Sequence, residues 1–200
     1  MGWTGLAFAV QAADEDESVR NGEDPADYVS RLALQKAQAA AERNPGRLVL
    51  AADTTVEDRG EILGKPADGV DAKNMLRRLR GHTHYVHTAI ALIDPVSGRT
   101  VTDLCTTPVE MRRYTDVEID RYVESGDPLD KAGAYAIQHP GFHPVNRMTG
   151  CYASVMGLPL CHVMRALRKA GYEAPSSIPL TCQDNLRYDC PVSKQILEQE

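Results

Sequence analysis

The stretch RLVLAADTTVEDRGEILGKP, residues 47–66, constrains the fold more than any other. Leu48 to Ala52 contains no polar residue, the pattern of a strand covered on both faces. The chain then turns at Arg59-Gly60, a hairpin that brings Gly64-Lys65-Pro66 back alongside. A strand buried on both faces needs layers of helix around a sheet. The flanking segments can supply them. Asp24-Pro25 reads as an N-cap with proline at the first helical position. Val29, Leu32, Ala33 and Lys36 follow at helical spacing, and Asn44-Pro45-Gly46 stops the helix.

Further along, VDAKNMLRRLRG reads as a helix with Val70, Met75, Leu76 and Leu79 toward the buried side. HTHYVHTAIALID alternates Val86, Thr88, Ile90 and Leu92 on one face of a strand. After a turn at Asp94–Gly98, RTVTDLCTTPVEMRRY returns antiparallel, with Pro108 suggesting a bulge or an edge. Thr115 and Glu118 make a capping box for DVEIDRYVES. Leu158-Pro159 opens a helix with Leu160, Val163, Met164 and Leu167 inward. The expectation is an α/β domain over residues 1–172, built on a twisted mixed sheet flanked by helices, followed by a polar C-terminal tail over 173–200.

The chain's 200 residues fit one domain with a tail. A net charge of −6 argues against a general nucleic-acid binder, which needs a basic stripe. It leaves room for a small anionic substrate held by a few local lysines or a metal. No apolar run approaches the length of a membrane span. The N-terminal segment lacks the basic start of a signal peptide. Five cysteines, an odd number without a C-x-x-C, point to a reducing compartment and so to the cytosol.

Residues able to do chemistry gather in four places. Asp14, Glu15, Asp16 and Glu17 form an acidic run, and Lys36 lies on the first helix. Asp53 ends a strand, with Lys65 after its hairpin. Asp130, Lys131 and Gln138 fall in a Gly/Ala-rich loop. Carboxylates suit a hard divalent cation, and lysines suit phosphate oxygens. Together they could support metal-assisted attack of water on a phosphate chain. Each piece alone also has a plain reading, the acidic run as a solvated face and Asp53 as a turn or cap. His82, His84 and His87 suggest zinc, but strand alternation sends His87 away from the other two. Cys105 and Cys151 read as core fillers. Cys182 and Cys190 lack metal-site spacing. Tyr135 and Tyr152 are open between lining a base pocket and packing on the sheet.

LAADTTVEDRGEILGKP, DAKNMLRRLRGHTHYVHTAIAL, YVESGDPLDKAGAYAIQ and GCYASVMGLPL, in that order, resemble the Maf family of nucleoside triphosphate pyrophosphatases. The resemblance covers about Phe8 to Gly171. It implies the inosine-triphosphatase-like α/β fold, hydrolysis of a nucleoside triphosphate to the monophosphate and pyrophosphate, a divalent cation such as magnesium or manganese, and a possible homodimer. The charge balance and the lack of a long apolar run add the expectation of no nucleic-acid and no membrane partner. By the same resemblance Asp53 is the proton acceptor, and Glu17 with Asp53 holds the metal. Lys36, Lys65 and Lys131 face the phosphates, while Thr54 and Gln138 choose the base. Asp53-Thr54 and Ile137-Gln138 are similar to the branch acting on dTTP and UTP.

Three features depart from that pattern. The family opens with a strand and an A-S-x-S-P-R-R loop, whereas this sequence opens at Met1-Gly2-Trp3. The expectation is that the true start lies upstream. His139-Pro140 replaces the usual glycine, and Pro144 interrupts the next strand. The segment after Pro175 is one most members lack. The alternative is a non-catalytic Maf-like protein acting through interactions in septum control; the retained Asp53, Lys65 and Lys131 speak for the enzyme.

Overall fold

Asp24 accepts a hydrogen bond from the Ala26 amide at 2.9 Å, and Pro25 sets the first turn of helix α1 (Pro25–Arg43). Val29, Leu32, Ala33 and Ala37 make its buried stripe. The computed structural model describes residues 1–12 and 15–199. Strands β1 (Val49–Asp58) and β2 (Glu61–Leu63) form the expected hairpin, with Arg59 and Gly60 at positive φ in the turn. Helix α2 (Gly69–Leu79) follows, capped by Asp68, whose side chain accepts from the Val70 and Asp71 amides. Strands β3 (Thr83–Asp94) and β4 (Arg99–Met111) pair along their full lengths. Helix α3 (Asp116–Glu124) carries the capping box of Thr115 and Glu118. Strand β5 (Val145–Met148), the single turn α4 (Tyr152–Val155) and helices α5 (Leu160–Lys169), α6 (Ile178–Leu186) and α7 (Ser193–Glu198) complete the chain.

The sheet order is β2-β1-β3-β4-β5. The α/β organisation is the expected one, but every pairing among the described residues is antiparallel, where a mixed sheet was anticipated. Short connections account for the β1–β2 and β3–β4 pairings, because a parallel partner needs a crossover of a dozen residues or more; β3 and β5 return antiparallel after α2 and α3 instead. β2 pairs only with Val56–Asp58. The earlier part of β1 therefore runs along the sheet border, with β3 its only strand partner among the described residues.

One face of the sheet packs under α1, through Ala89, Ala91 and Val49. The opposite face is covered in two halves. Val56, Val86, Val109 and Met111 meet α2 and α3 through Leu76, Leu79 and Ile119. Ile90 and Leu92 meet α5 through Val163, Ala166 and Leu167. Between the halves lie Thr54 and Thr88, directly paired across β1 and β3.

Two readings of the sequence change here. Val70 is 68% exposed, because the buried stripe of α2 is Ala72, Leu76 and Leu79, spaced four and three residues apart. The segment after Pro175, read as a polar tail, contains α6 and α7. Ile178, Cys182 and Ile196 are buried, with Ile178 and Cys182 in a cluster with Leu160 and Met164 of α5. The Arg165 guanidinium ties α7 to the sheet, donating to the Ile196 carbonyl at 2.9 Å and to both Asp103 oxygens at 2.8 and 2.7 Å.

Candidate active site

Strand alternation sends the neighbours Asp53 and Thr54 to opposite faces of β1. Asp53 faces α1. There Lys36 Nζ donates to Asp53 Oδ1 at 2.5 Å and to Glu17 Oε1 at 2.6 Å. Lys65 Nζ approaches Glu17 Oε2 at 3.9 Å from the far side of the hairpin. Burial raises the Asp53 carboxyl above its ordinary value, and the Lys36 ammonium opposes that shift without cancelling it. The hydrogen bond from Lys36 lowers Glu17. Burial pulls Lys36 down, but its bonds to Asp53 and Glu17 outweigh this and leave it raised. The cluster therefore holds a fixed ammonium between a lowered carboxylate and a raised one.

Thr54 faces the other way, into a cavity of about 280 Å³. Lys65, Lys131, Tyr135 and Gln138 line the same space, with Val155, Met156 and Gly157 as a further wall. The loop carrying Lys131 and Gln138 is pinned to the hairpin by the Gly133 amide, which donates to the Gly64 carbonyl at 3.1 Å. Only glycine suits position 133: its φ is +67°, and a Cβ there would stand 2.9 Å from Val56 Cγ2. Tyr122 holds the loop from below, its hydroxyl donating to Asp127 at 2.6 Å and accepting from the Ala136 amide at 2.9 Å. Lys131 donates to the Asp127 carbonyl and to Asp130 Oδ1, both at 2.7 Å. Burial lowers Lys131, but these acids outweigh it and keep the ammonium raised.

The residues singled out from the sequence thus occupy two connected regions. Glu17, Lys36 and Asp53 form one cluster, and Thr54, Lys65, Lys131 and Gln138 surround one cavity. Lys65 belongs to both. Of the acidic run, Glu17 reaches this cluster, and Asp16 instead accepts from the Ser18 amide. Asp14 lies outside the described residues. Tyr135 lines the cavity, whereas Tyr152 packs beside Tyr188 at 5.5 Å between ring centres. The three histidines go to separate partners: His82 to Asp58, His84 to the Tyr135 hydroxyl, His87 to Thr106 and Glu57.

The sequence reading missed two polar residues behind Thr54. Thr88 Oγ1 lies 2.9 Å from Thr54 Oγ1 and donates to the Ser154 carbonyl at 2.7 Å. Thr88 and Ser154 are fully buried. The available signal was a hydroxyl on the otherwise apolar row Val86, Ile90, Leu92.

Glu17 and Asp53 fit a divalent metal in donor type, since carboxylate oxygens are hard ligands. No group of three or more His, Cys, Asp or Glu side chains poised for a metal occurs among the described residues. Two carboxylates without a closed cage suit a divalent cation only if waters or substrate oxygens complete its coordination.

Comparison with known proteins identifies the family of the chain. Residues 2–170 match the family described as Maf-like protein. A dTTP/UTP pyrophosphatase of Geotalea uraniireducens (strain Rf4) is 45% identical over 167 residues, covering 84% of this chain and 86% of the relative. One from Anaeromyxobacter dehalogenans (strain 2CP-1 / ATCC BAA-258) is 48% identical over 177 residues, covering 88% and 89%. One from Hahella chejuensis (strain KCTC 2396) is 47% identical over 170 residues, covering 84% of each. With a family match spanning most of its length and relatives this close along nearly their whole chains, the protein belongs to the Maf family.

Proposed function

We propose that this chain hydrolyses nucleoside triphosphates to the monophosphate and pyrophosphate, with dTTP and UTP as preferred substrates and magnesium or manganese as cofactor. The observation that carries the proposal is Lys65. It stands at once on the wall of the Thr54–Gln138 cavity and beside the Glu17–Lys36–Asp53 cluster. A base in the cavity would thus extend its phosphates past a lysine toward a carboxylate. The relatives, named dTTP/UTP pyrophosphatases, support the same reaction.

In this reading water attacks the α-phosphorus and the bond to the β-phosphate bridge breaks. Asp53 accepts the proton of that water, for which its raised carboxyl must be ionised. Lys36 keeps Asp53 ionised and aimed. Lys65 and Lys131 neutralise charge on the phosphates as point charges. Lys131 must leave its present acidic partners to do so. Glu17 and Asp53 would hold the cation, which when bound offsets negative charge on the phosphate chain. Five free thiols, four of them buried, are in keeping with a cytoplasmic setting.

The test is pyrophosphate release from dTTP, UTP, ATP and GTP with magnesium or manganese present. The expected result is a kcat/KM at least about tenfold higher for the two pyrimidines, because a purine leaves the polar groups of the pocket unpaired. Asp53→Asn should lower turnover about 10²–10⁴-fold with unchanged circular dichroism. Release within threefold of the unsubstituted protein by Asp53→Asn would overturn the assignment.

A further inference from the structure

Thr88 has one hydroxyl hydrogen, and its place is fixed. The Ser154 carbonyl can only accept, and Thr88 Oγ1 lies 2.7 Å from it. The Gly157 amide donates to the same carbonyl at 2.8 Å, so that oxygen is the anchor of the turn leading to the cavity wall. The remaining Thr54–Thr88 contact, at 2.9 Å between two hydroxyl oxygens, then has a single polarity. Thr88 has no hydrogen left for it, so Thr54 is the donor. This spends the only hydroxyl hydrogen of Thr54 on the protein. Toward the cavity Thr54 offers lone pairs alone.

We propose that Thr88 is a positioning residue that fixes Thr54 as a hydrogen-bond acceptor, so that the pocket reads an N–H on the bound base, the imide N3–H of a uracil or thymine ring. The inference rests on the pyrophosphatase reading of the cavity and adds the direction of the bond. Uracil and thymine present acceptor, donor, acceptor across O4, N3–H and O2. Thr54 meets the central donor, and the Gln138 amide can donate its N–H to a flanking carbonyl. Cytosine has a bare N3 at that place. Its lone pair would face the Thr54 lone pairs, two acceptors without a hydrogen between them. Thr88 is buried, so it exerts this selection without touching the base.

Binding tests the polarity independently of turnover. Calorimetric titration with the α,β-methylene analogues of UTP and CTP, in magnesium, is expected to give affinity at least about tenfold tighter for the uracil analogue. Thr88→Val keeps the shape but releases the Thr54 hydrogen, which can then donate to cytosine N3. The uracil-to-cytosine ratio should fall below about threefold, and Thr88→Ser should restore it. A role in packing alone would weaken both analogues together and leave the ratio unmoved. Equal affinity for the two analogues in the unsubstituted protein, no binding of either, or an unchanged ratio in folded Thr88→Val overturns the proposal. Should Thr88→Val fail to fold, the comparison in the unsubstituted protein still decides. Failure to hydrolyse UTP despite tighter uracil binding would instead strike the pyrophosphatase reading and leave this one standing.

Discussion

Lys36 Nζ stands 2.5 Å from Asp53 Oδ1, and this contact restrains a carboxyl that its buried site pushes upward. Lys36→Met removes the ammonium and leaves burial and the nearby Glu17 charge opposed only by the weaker pull of Lys65, so Asp53 rises further. A base works only when ionised, so activity falls as pH drops through its pKa. The acid limb of the kcat/KM profile should therefore lie above the ordinary carboxylate position and move to still higher pH in Lys36→Met. A limb that stays in place, or moves down, would remove Asp53 from the role of base.

Glu17 is the more exposed of the two carboxylates and is lowered by Lys36, so it is ionised throughout the working range. Glu17→Gln keeps the shape but replaces one ligand oxygen by an amide nitrogen and halves the charge offered to a cation. The magnesium concentration for half-maximal activity should rise several-fold, while saturating magnesium should recover much of the rate. Chelation should silence the unsubstituted protein, and added magnesium should restore it. An unaltered magnesium requirement in Glu17→Gln would show that the cation sits elsewhere.

Asp103 anchors the last helix through Arg165. Burial pushes its carboxyl up, but His162 and Arg165 outweigh that and hold it at about 2. A folded pKa below the unfolded value gives stability that is present above the ordinary 3.8 and lost as pH falls through about 2. Asp103→Asn strands a buried guanidinium and should cost about 3–5 kcal/mol near pH 7. That cost should shrink between pH 4 and 2, where the unsubstituted protein loses the same charge. Urea unfolding of both proteins at the two ends of this window checks it. A cost that does not vary with pH would mean that the carboxylate charge contributes nothing.

Gly133→Ala combines a strained φ with a Cβ pressed on Val56. The expected loss is about 2–3 kcal/mol. Because the same amide ties the loop to Gly64, activity should fall beyond what instability explains, through a raised KM as Lys131 and Gln138 shift. Thermal melting alongside steady-state kinetics separates the two effects. An unchanged melting temperature would show that Val56 yields freely.

Much of this was legible in the sequence because it is local. The Asp24-Pro25 cap, the Thr115–Glu118 box and the Arg59-Gly60 turn are each decided within a few residues, and each stands where expected. The C-terminal helices were not. Ile178, Cys182 and Ile196 are sparse among polar neighbours, and their burial depends on a surface that α5 and Arg165 provide. The Thr54–Thr88–Ser154 chain was out of reach for a related reason. Its links span 34 and 66 residues, and only strand register and the placement of α4 bring them together. The charged site residues were candidates from the sequence, but their roles, and Thr54 itself, came through resemblance, since an isolated aspartate or lysine carries little information alone.

Asp53 and Thr54 are joined by one peptide bond yet serve opposite sides of the sheet. Deleting or inserting a single residue before them in β1 would exchange their orientations, pointing the acid into the base cavity and the hydroxyl at Lys36. Under the proposed function, the parts that read the base and that break the phosphate bond are therefore indivisible along this strand. Loops around the cavity can be lengthened or rebuilt to admit other nucleotides, but an engineer must leave the count of residues in β1 untouched.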